Sequence, residues 1–74
     1  MEIEEIRQIL AAELGESGIE LQVDGSRLML GLVSDKFDGL SRVKRQQLVY
    51  TLLNDKISSG EIHAVTMTTK TPSE

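Results

Sequence analysis

A hairpin pattern occupies residues 19–33, which read IELQVDGSRLMLGLV. Apolar and polar residues alternate from Ile19 to Val23, as they do in a half-buried strand. Asp24-Gly25 follows, a dipeptide that favours the tight turn of a two-stranded hairpin. Alternation resumes after the turn with Leu28, Leu30 and Leu32. The stretch therefore predicts two antiparallel strands that share one apolar face and end near Val33.

Helical patterns flank this hairpin. Residues 2–14 carry isoleucine and leucine at helical spacing, glutamates in the first turn that complement the helix dipole, and Gly15 at the end. A second helix is predicted over roughly 41–57, with Ser41 as its candidate N-cap. The segment around Phe37 lies between the hairpin and this helix, and we expect it to form a loop or a single helical turn.

The last strand is predicted over residues 62–71, which are rich in β-branched side chains, with Gly60 before it and Pro72 after it. Because this strand follows a helical crossover, it can pair in parallel with a neighbour. Counting the Phe37 turn as a short helix, the order is α-β-β-α-α-β. The predicted class is α+β, a three-stranded sheet with helices packed on one face. No repeat or linker divides the chain, so residues 1–74 form one domain.

Composition excludes several classes of function. The chain has no cysteine, which excludes a disulfide and a self-contained thiolate metal site. Its two aromatic residues provide no platform for stacking bases. No apolar run is long enough to cross a membrane, and no secretory signal pattern is present. We expect a soluble cytoplasmic protein that is no enzyme, because few polar residues converge, and that is a monomer or a weak homodimer.

The net charge of −4 disfavours strong non-specific binding to nucleic acid. The charge is uneven, however, since residues 1–24 hold seven acids and one base while the remainder holds seven bases and five acids. Arg42, Lys44 and Arg45 cluster at the start of the longer helix, where helix–turn–helix proteins present a helix to DNA. A solvated helix face is the alternative, because three bases neutralise only about three phosphates.

His63 is the only histidine in the chain. Imidazole is the commonest neutral metal ligand, yet zinc and iron–sulfur sites need about four donors. Two interpretations follow: a partly buried structural histidine in the last strand, or a ligand whose co-ligands come from another molecule. Catalysis through His63 would need a positioned nucleophile or a substrate pocket, and the sequence offers neither.

Three blocks of the sequence resemble the BolA family. Residues 33–50 read VSDKFDGLSRVKRQQLVY, and their Phe-x-Gly, Arg-Gln-Gln and Val-Tyr spacings are most similar to those of short bacterial BolA paralogues. Residues 62–65, IHAV, and residues 70–74, KTPSE, resemble the end of the same signature. The resemblance covers residues 19–74 well, while the first helix is matched only in kind.

The resemblance implies a fold similar to a class II KH domain and a role in iron–sulfur trafficking and iron regulation. Members of that family bridge a [2Fe–2S] cluster with a CGFS-type monothiol glutaredoxin and glutathione, or associate with the glutaredoxin alone. The family's cluster ligand matches His63, but the turn Asp24-Gly25-Ser26 lacks the cysteine or histidine that many members carry there. Other members are linked to transcription and stress-dependent morphology, for which Arg42, Lys44 and Arg45 would face DNA.

Overall fold

A computed structural model describes all 74 residues, Met1–Glu74. The protein consists of a three-stranded sheet with helices packed on one face. Its elements are α1 (Ile3–Leu14), β1 (Ile19–Asp24), β2 (Arg27–Val33), a 3₁₀ turn (Asp35–Phe37), α2 (Arg42–Leu52), α3 (Asn54–Ser58) and β3 (Ala64–Lys70). β2 lies in the middle, antiparallel to β1 and parallel to β3. The α+β class and the parallel pairing are confirmed, and so is the order α-β-β-α-α-β, but the two helices between β2 and β3 are α2 and α3 instead of the Phe37 turn and one long helix. The likeness to class II KH domains stays a prediction.

The core lies between the sheet and the helices, and β2 supplies its centre. Leu28, Leu30 and Leu32 are buried on one side of this strand, while Met29 and Gly31 alternate with them on the other side. The fully buried side chains that meet the leucines come from α1, the 3₁₀ turn and the end of α2: Ile6, Leu10, Phe37, Val49 and Leu53. None of the helices has the length and apolar content that crossing a bilayer requires.

The helix predicted over residues 41–57 is instead two helices that meet at Leu53. The backbone of Leu53 leaves helical geometry, with φ −98° and ψ 8°. Hydrogen bonds nevertheless continue through the break, from Leu53 N–H to Val49 O at 3.1 Å and from Ile57 N–H to Leu53 O at 3.0 Å. Leu53 is fully buried, so the break between α2 and α3 falls at a core residue.

The last strand begins at Ala64, two residues later than predicted. Ile62 is buried and donates its N–H to Lys56 O at 3.1 Å, so it belongs to the turn that follows α3. His63 comes next and donates its N–H to Ser26 O at 2.9 Å. The sequence pattern placed this segment in the strand because its residues are β-branched or apolar, but Ile62 fills the core before the chain enters the sheet.

Ser34 joins the end of α1 to the segment that follows β2. Its buried hydroxyl donates to Leu14 O at 2.9 Å and accepts from Lys36 N–H at 3.1 Å. Its backbone N–H donates to Lys70 O at 2.9 Å. One side chain thus satisfies a carbonyl at the end of a helix and an amide at the start of a turn, groups that secondary structure leaves without partners.

Ser34→Ala is expected to lower the free energy of unfolding by about 1–3 kcal/mol, because Leu14 O and Lys36 N–H both lose a partner inside the protein. Urea unfolding followed by circular dichroism measures the change. Ser58→Ala is the matched control: Ser58 is exposed, and its loss should change stability by less than about 0.5 kcal/mol. Equal stability of Ser34→Ala and the unmodified protein would show that the hydroxyl contributes nothing.

Candidate functional site

His63 lies on the short segment between α3 and β3, beside the turn between β1 and β2. Its backbone N–H donates to Ser26 O at 2.9 Å. Directly beyond this contact, Arg27 of β2 pairs with Ala64 of β3. The structure therefore brings together His63 and the turn Asp24-Gly25-Ser26, in which the sequence showed no second soft ligand.

His63 is exposed, so its interpretation as a partly buried structural residue is wrong. The preceding residue, Ile62, occupies the core position and is 2% exposed, which leaves His63 to turn outward. Gly60 has a φ of +84°, and a β-carbon at this position would lie 3.7 Å from His63 Nε2. The imidazole thus lies over a residue with no side chain.

Lys56 fixes the segment that carries His63. Its carbonyl accepts the N–H of Ile62 at 3.1 Å. Its ammonium group forms an ion pair with Glu5 of α1 and lies 3.6 Å from Glu61 Oε1. The hydrogen bond to Glu5 is the main cause that raises the pKa of Lys56. One side chain therefore ties α1, α3 and the His63 segment together, and no sequence motif indicated this link.

The side chains of this chain do not assemble a metal site. No group of three or more His, Cys, Asp or Glu side chains converges anywhere in the structure, and cysteine is absent. An exposed imidazole can be one ligand of an iron–sulfur cluster when other donors, mostly thiolates, complete it. His63 therefore fits a cluster shared with another molecule, and the residues present do not fit a cluster held by this chain alone.

The three basic residues at the start of α2 differ in their exposure to solvent. Arg42 and Lys44 are exposed, and no acid lies in the first turn of the helix. The hydroxyl of Ser41 accepts Lys44 N–H at 3.2 Å, which confirms Ser41 as the N-cap. The side chain of Arg45, in contrast, is only 12% exposed. Two of the three predicted basic residues are therefore open to a ligand.

Arg45 connects several parts of the chain. Its Nε donates to Leu40 O at 2.9 Å, its Nη1 donates to Thr69 O at 3.1 Å, and its guanidinium carbon lies 5.9 Å from the ring centroid of Phe37. The outer edge of the guanidinium pairs with the Glu74 carboxylate, Nη1 to Oε1 at 2.7 Å and Nη2 to Oε2 at 3.0 Å. A DNA contact by Arg45, as predicted, would require this pair to open.

Glu74 accepts a third hydrogen bond, from Thr71 N–H to Oε1 at 2.8 Å. The hydrogen bonds from Arg45 and then from Thr71 lower the pKa of Glu74 from its ordinary 4.5 to about 2. The same pair raises the pKa of Arg45. The ion pair is therefore complete at neutral pH.

The two candidate sites lie at opposite ends of β3. His63 precedes the first residue of the strand, whereas Arg45 bonds to Thr69 near its last residue. β3 has seven residues, which span about 20 Å at roughly 3.3 Å per residue. The imidazole and the basic residues do not form one site.

Glu74→Gln is expected to destabilise the protein at pH 7 and to have little effect near pH 2. Because folding lowers the pKa of Glu74, its contribution is fully present above about pH 4.5 and is lost as the pH falls towards about 2. Urea unfolding at several pH values between 2 and 7 measures the difference between variant and unmodified protein. Glu16→Gln, at an exposed acid outside the ion pairs, is the control. A Glu74→Gln difference that does not change with pH would contradict the account.

Comparison with known proteins gives matches along nearly the whole chain. The family model for BolA-like proteins matches residues 12–74. "Acid stress protein IbaG" of Escherichia coli (strain K12) is 40% identical over 74 residues, which are 100% of this chain and 88% of that protein.

Two solved structures of Arabidopsis thaliana proteins share the fold. BolA1 superposes with a TM-score of 0.87 and 32% identity, covering 96% of this chain and 92% of that one. The BolA domain of SufE1 superposes with a TM-score of 0.86 and 38% identity, covering 95% and 91% of the two chains. Their similarity extends over the helices as well as the sheet.

Proposed function

The chain belongs to the BolA-like family, and on that premise we propose that it is a non-enzymatic partner of a CGFS-type monothiol glutaredoxin. The two proteins would share a [2Fe–2S] cluster with glutathione, or associate without one, in iron–sulfur trafficking and iron regulation. The observation that carries the proposal is an exposed His63 on a segment fixed at both ends. A role in the stress response, suggested by the name of the Escherichia coli relative, belongs to the same proposal.

The donors of the shared cluster would be divided between the two proteins. His63 supplies one nitrogen ligand, and the glutaredoxin cysteine with glutathione supplies the thiolates that this chain lacks. Histidine ligands raise the reduction potential of an iron–sulfur centre relative to cysteine ligands, and an imidazole that takes up a proton releases its metal. These properties suit a cluster that is passed on or sensed. The cytoplasm, where thiols stay reduced, is the proposed setting.

The turn beside His63 affects the stability of a shared cluster, because it offers no second soft ligand. Asp24-Gly25-Ser26 offers oxygen atoms, which match an iron–sulfur cluster poorly. On this side the cluster therefore depends on His63 alone. We expect the shared cluster to be more labile than one bound by two soft ligands from each protein.

The test mixes the two proteins anaerobically with iron, sulfide and glutathione, and records the visible absorption and circular dichroism spectra. The unmodified chain should convert the glutaredoxin spectrum to that of a mixed complex, and His63→Ala should abolish this conversion because one iron loses its ligand. His63→Cys should retain the cluster with an altered spectrum and a lower reduction potential, because a thiolate replaces the imidazole.

Gln22→Ala, at an exposed position of β1, controls for unspecific effects and should behave as the unmodified chain. A mixed-complex spectrum unchanged in His63→Ala would exclude the ligand role. A glutaredoxin spectrum unaffected by the unmodified chain would exclude the shared cluster. Size-exclusion chromatography without iron then tests apo association, and two separate peaks would exclude the partnership as a whole.

A second candidate function is DNA binding in transcriptional regulation of stress and cell shape. It is favoured by Arg42 and Lys44, which are exposed in a helix turn without acids. With Arg45 paired to Glu74, these two residues remain as phosphate contacts. They are few for an acidic protein, so we rank this function below the partnership.

DNA binding through Arg42 and Lys44 predicts a salt slope of about −2 in a plot of log affinity against log salt, from roughly 0.9 per phosphate contact. Reversing both charges with Arg42→Glu and Lys44→Glu should abolish binding measured by fluorescence anisotropy. Arg27→Glu, an exposed base on β2, is the control and should bind as before. If the unmodified chain does not bind DNA at low salt, this function is excluded.

A further inference from the structure

Arg45 and Thr71 form a three-donor receptor for a carboxylate, and Glu74 of the same chain occupies it. We propose that this receptor binds an acidic side chain of a protein partner, and that Glu74 is the internal ligand that the partner displaces. The site lies about 20 Å from His63, at the other end of β3. It is therefore a second binding site, independent of the shared cluster.

Arg45 has contacts that fix its position independently of Glu74. Arg45 is held by Leu40 O, by Thr69 O and by the ring of Phe37, and none of these contacts involves Glu74. The outer edge of the guanidinium consequently stays directed at the same point. A guanidinium fixed in this way forms two parallel hydrogen bonds to a carboxylate at a small cost in side-chain entropy.

Basic side chains dominate the groove beside the receptor, although Asp38 also lies within electrostatic reach of Arg45. A groove of about 460 Å³ runs along the start of α2 and the end of β3, and it is lined by Arg42, Arg45 and Lys70. Glu74 is the only acid among its lining residues. Removing that one carboxylate would leave three positive charges facing the groove, which favours an anionic ligand.

All the hydrogen bonds of the Glu74 carboxylate go to the receptor. Its side chain is 45% exposed, and its backbone N–H donates to Thr71 O at 3.1 Å in a short turn. An external carboxylate can form the same three hydrogen bonds that Glu74 forms. Glu74 then acts as a tethered competitor, with an effective concentration on the order of millimolar or higher, and it sets a threshold that a partner must exceed.

A protein carboxylate suits this receptor better than the phosphates of DNA. The receptor binds a single planar two-oxygen group, as the contacts with Glu74 demonstrate. The chain as a whole carries a net charge of −4, which opposes the approach of a long polyanion but opposes one acidic side chain much less. Binding of DNA is therefore the competing outcome that the experiment must separate.

The experiment titrates the full chain with the capped peptide acetyl-Pro-Ser-Glu-amide at constant ionic strength. Binding is followed by ¹⁵N NMR through the amide of Thr71 and the Nε–H of Arg45. In Glu74→Ala, both signals should shift and saturate, with an affinity about tenfold or more above that of the unmodified chain, because the tethered competitor is gone. Glu74→Gln should give an intermediate affinity, and it replaces the alanine variant if that variant does not fold.

Matched controls isolate the carboxylate. The peptide ending in glutamine should not bind, Glu16→Ala should leave the affinity at the unmodified level, and Lys70→Gln added to Glu74→Ala should weaken binding. His63→Ala added to Glu74→Ala should change nothing, which separates this proposal from the shared cluster.

Equal affinity for the glutamate peptide in the unmodified chain and in Glu74→Ala would overturn the proposal, as would equal binding of the glutamine peptide. Titration with duplex DNA supplies the remaining test. If Glu74→Ala binds DNA and does not bind the glutamate peptide, the proposal is overturned in favour of a phosphate site.

Discussion

Parallel pairing of β2 with β3 is the constraint on which the rest of the structure depends. Parallel strands cannot be joined by a tight turn, so the chain from Val33 to Ala64 must return along the length of the sheet. The 3₁₀ turn, α2 and α3 make this return and cover the leucines of β2 as they do so. The same path delivers His63 to the β1–β2 turn and leaves the end of β3 beside the start of α2, where Arg45 reaches Thr69.

The two ends of the sheet consequently differ in chemistry. At one end an exposed imidazole stands without a cysteine or a cluster of acidic side chains, so a metal bound there would need donors from a second molecule. At the other end a guanidinium is anchored by backbone carbonyls and is satisfied by an acid from the same chain. A backbone hydrogen bond holds each end to the sheet: His63 N–H donates to Ser26 O, and Ser34 N–H donates to Lys70 O.

Most of the fold could be predicted from local pattern, since alternation around Asp24-Gly25 is a property of neighbouring residues. The departures are tertiary. Ile62 resembles a strand residue, yet it is buried in the turn before the strand, and His63 is exposed as a result. The sequence pattern does not show which residue of this segment fills the core. Arg45 was grouped with Arg42 and Lys44 because the sequence shows the charge of a side chain but not its ion-pair partner. That partner, Glu74, lies 29 residues away in the chain. The break at Leu53 likewise falls at a fully buried residue, and the helical spacing of the sequence does not mark it.

Ion pairs and backbone hydrogen bonds hold the His63 segment in place, and the two respond differently to ionic strength. The contacts of the Lys56 ammonium with Glu5 and Glu61 reach partly exposed carboxylates and weaken as dissolved ions screen them. The backbone bonds of Ile62 and His63 do not depend on ionic strength in this way. In concentrated salt the tie between α1 and the His63 segment is therefore weaker, while the backbone bonds hold the segment and the apolar residues of α1 stay packed in the core.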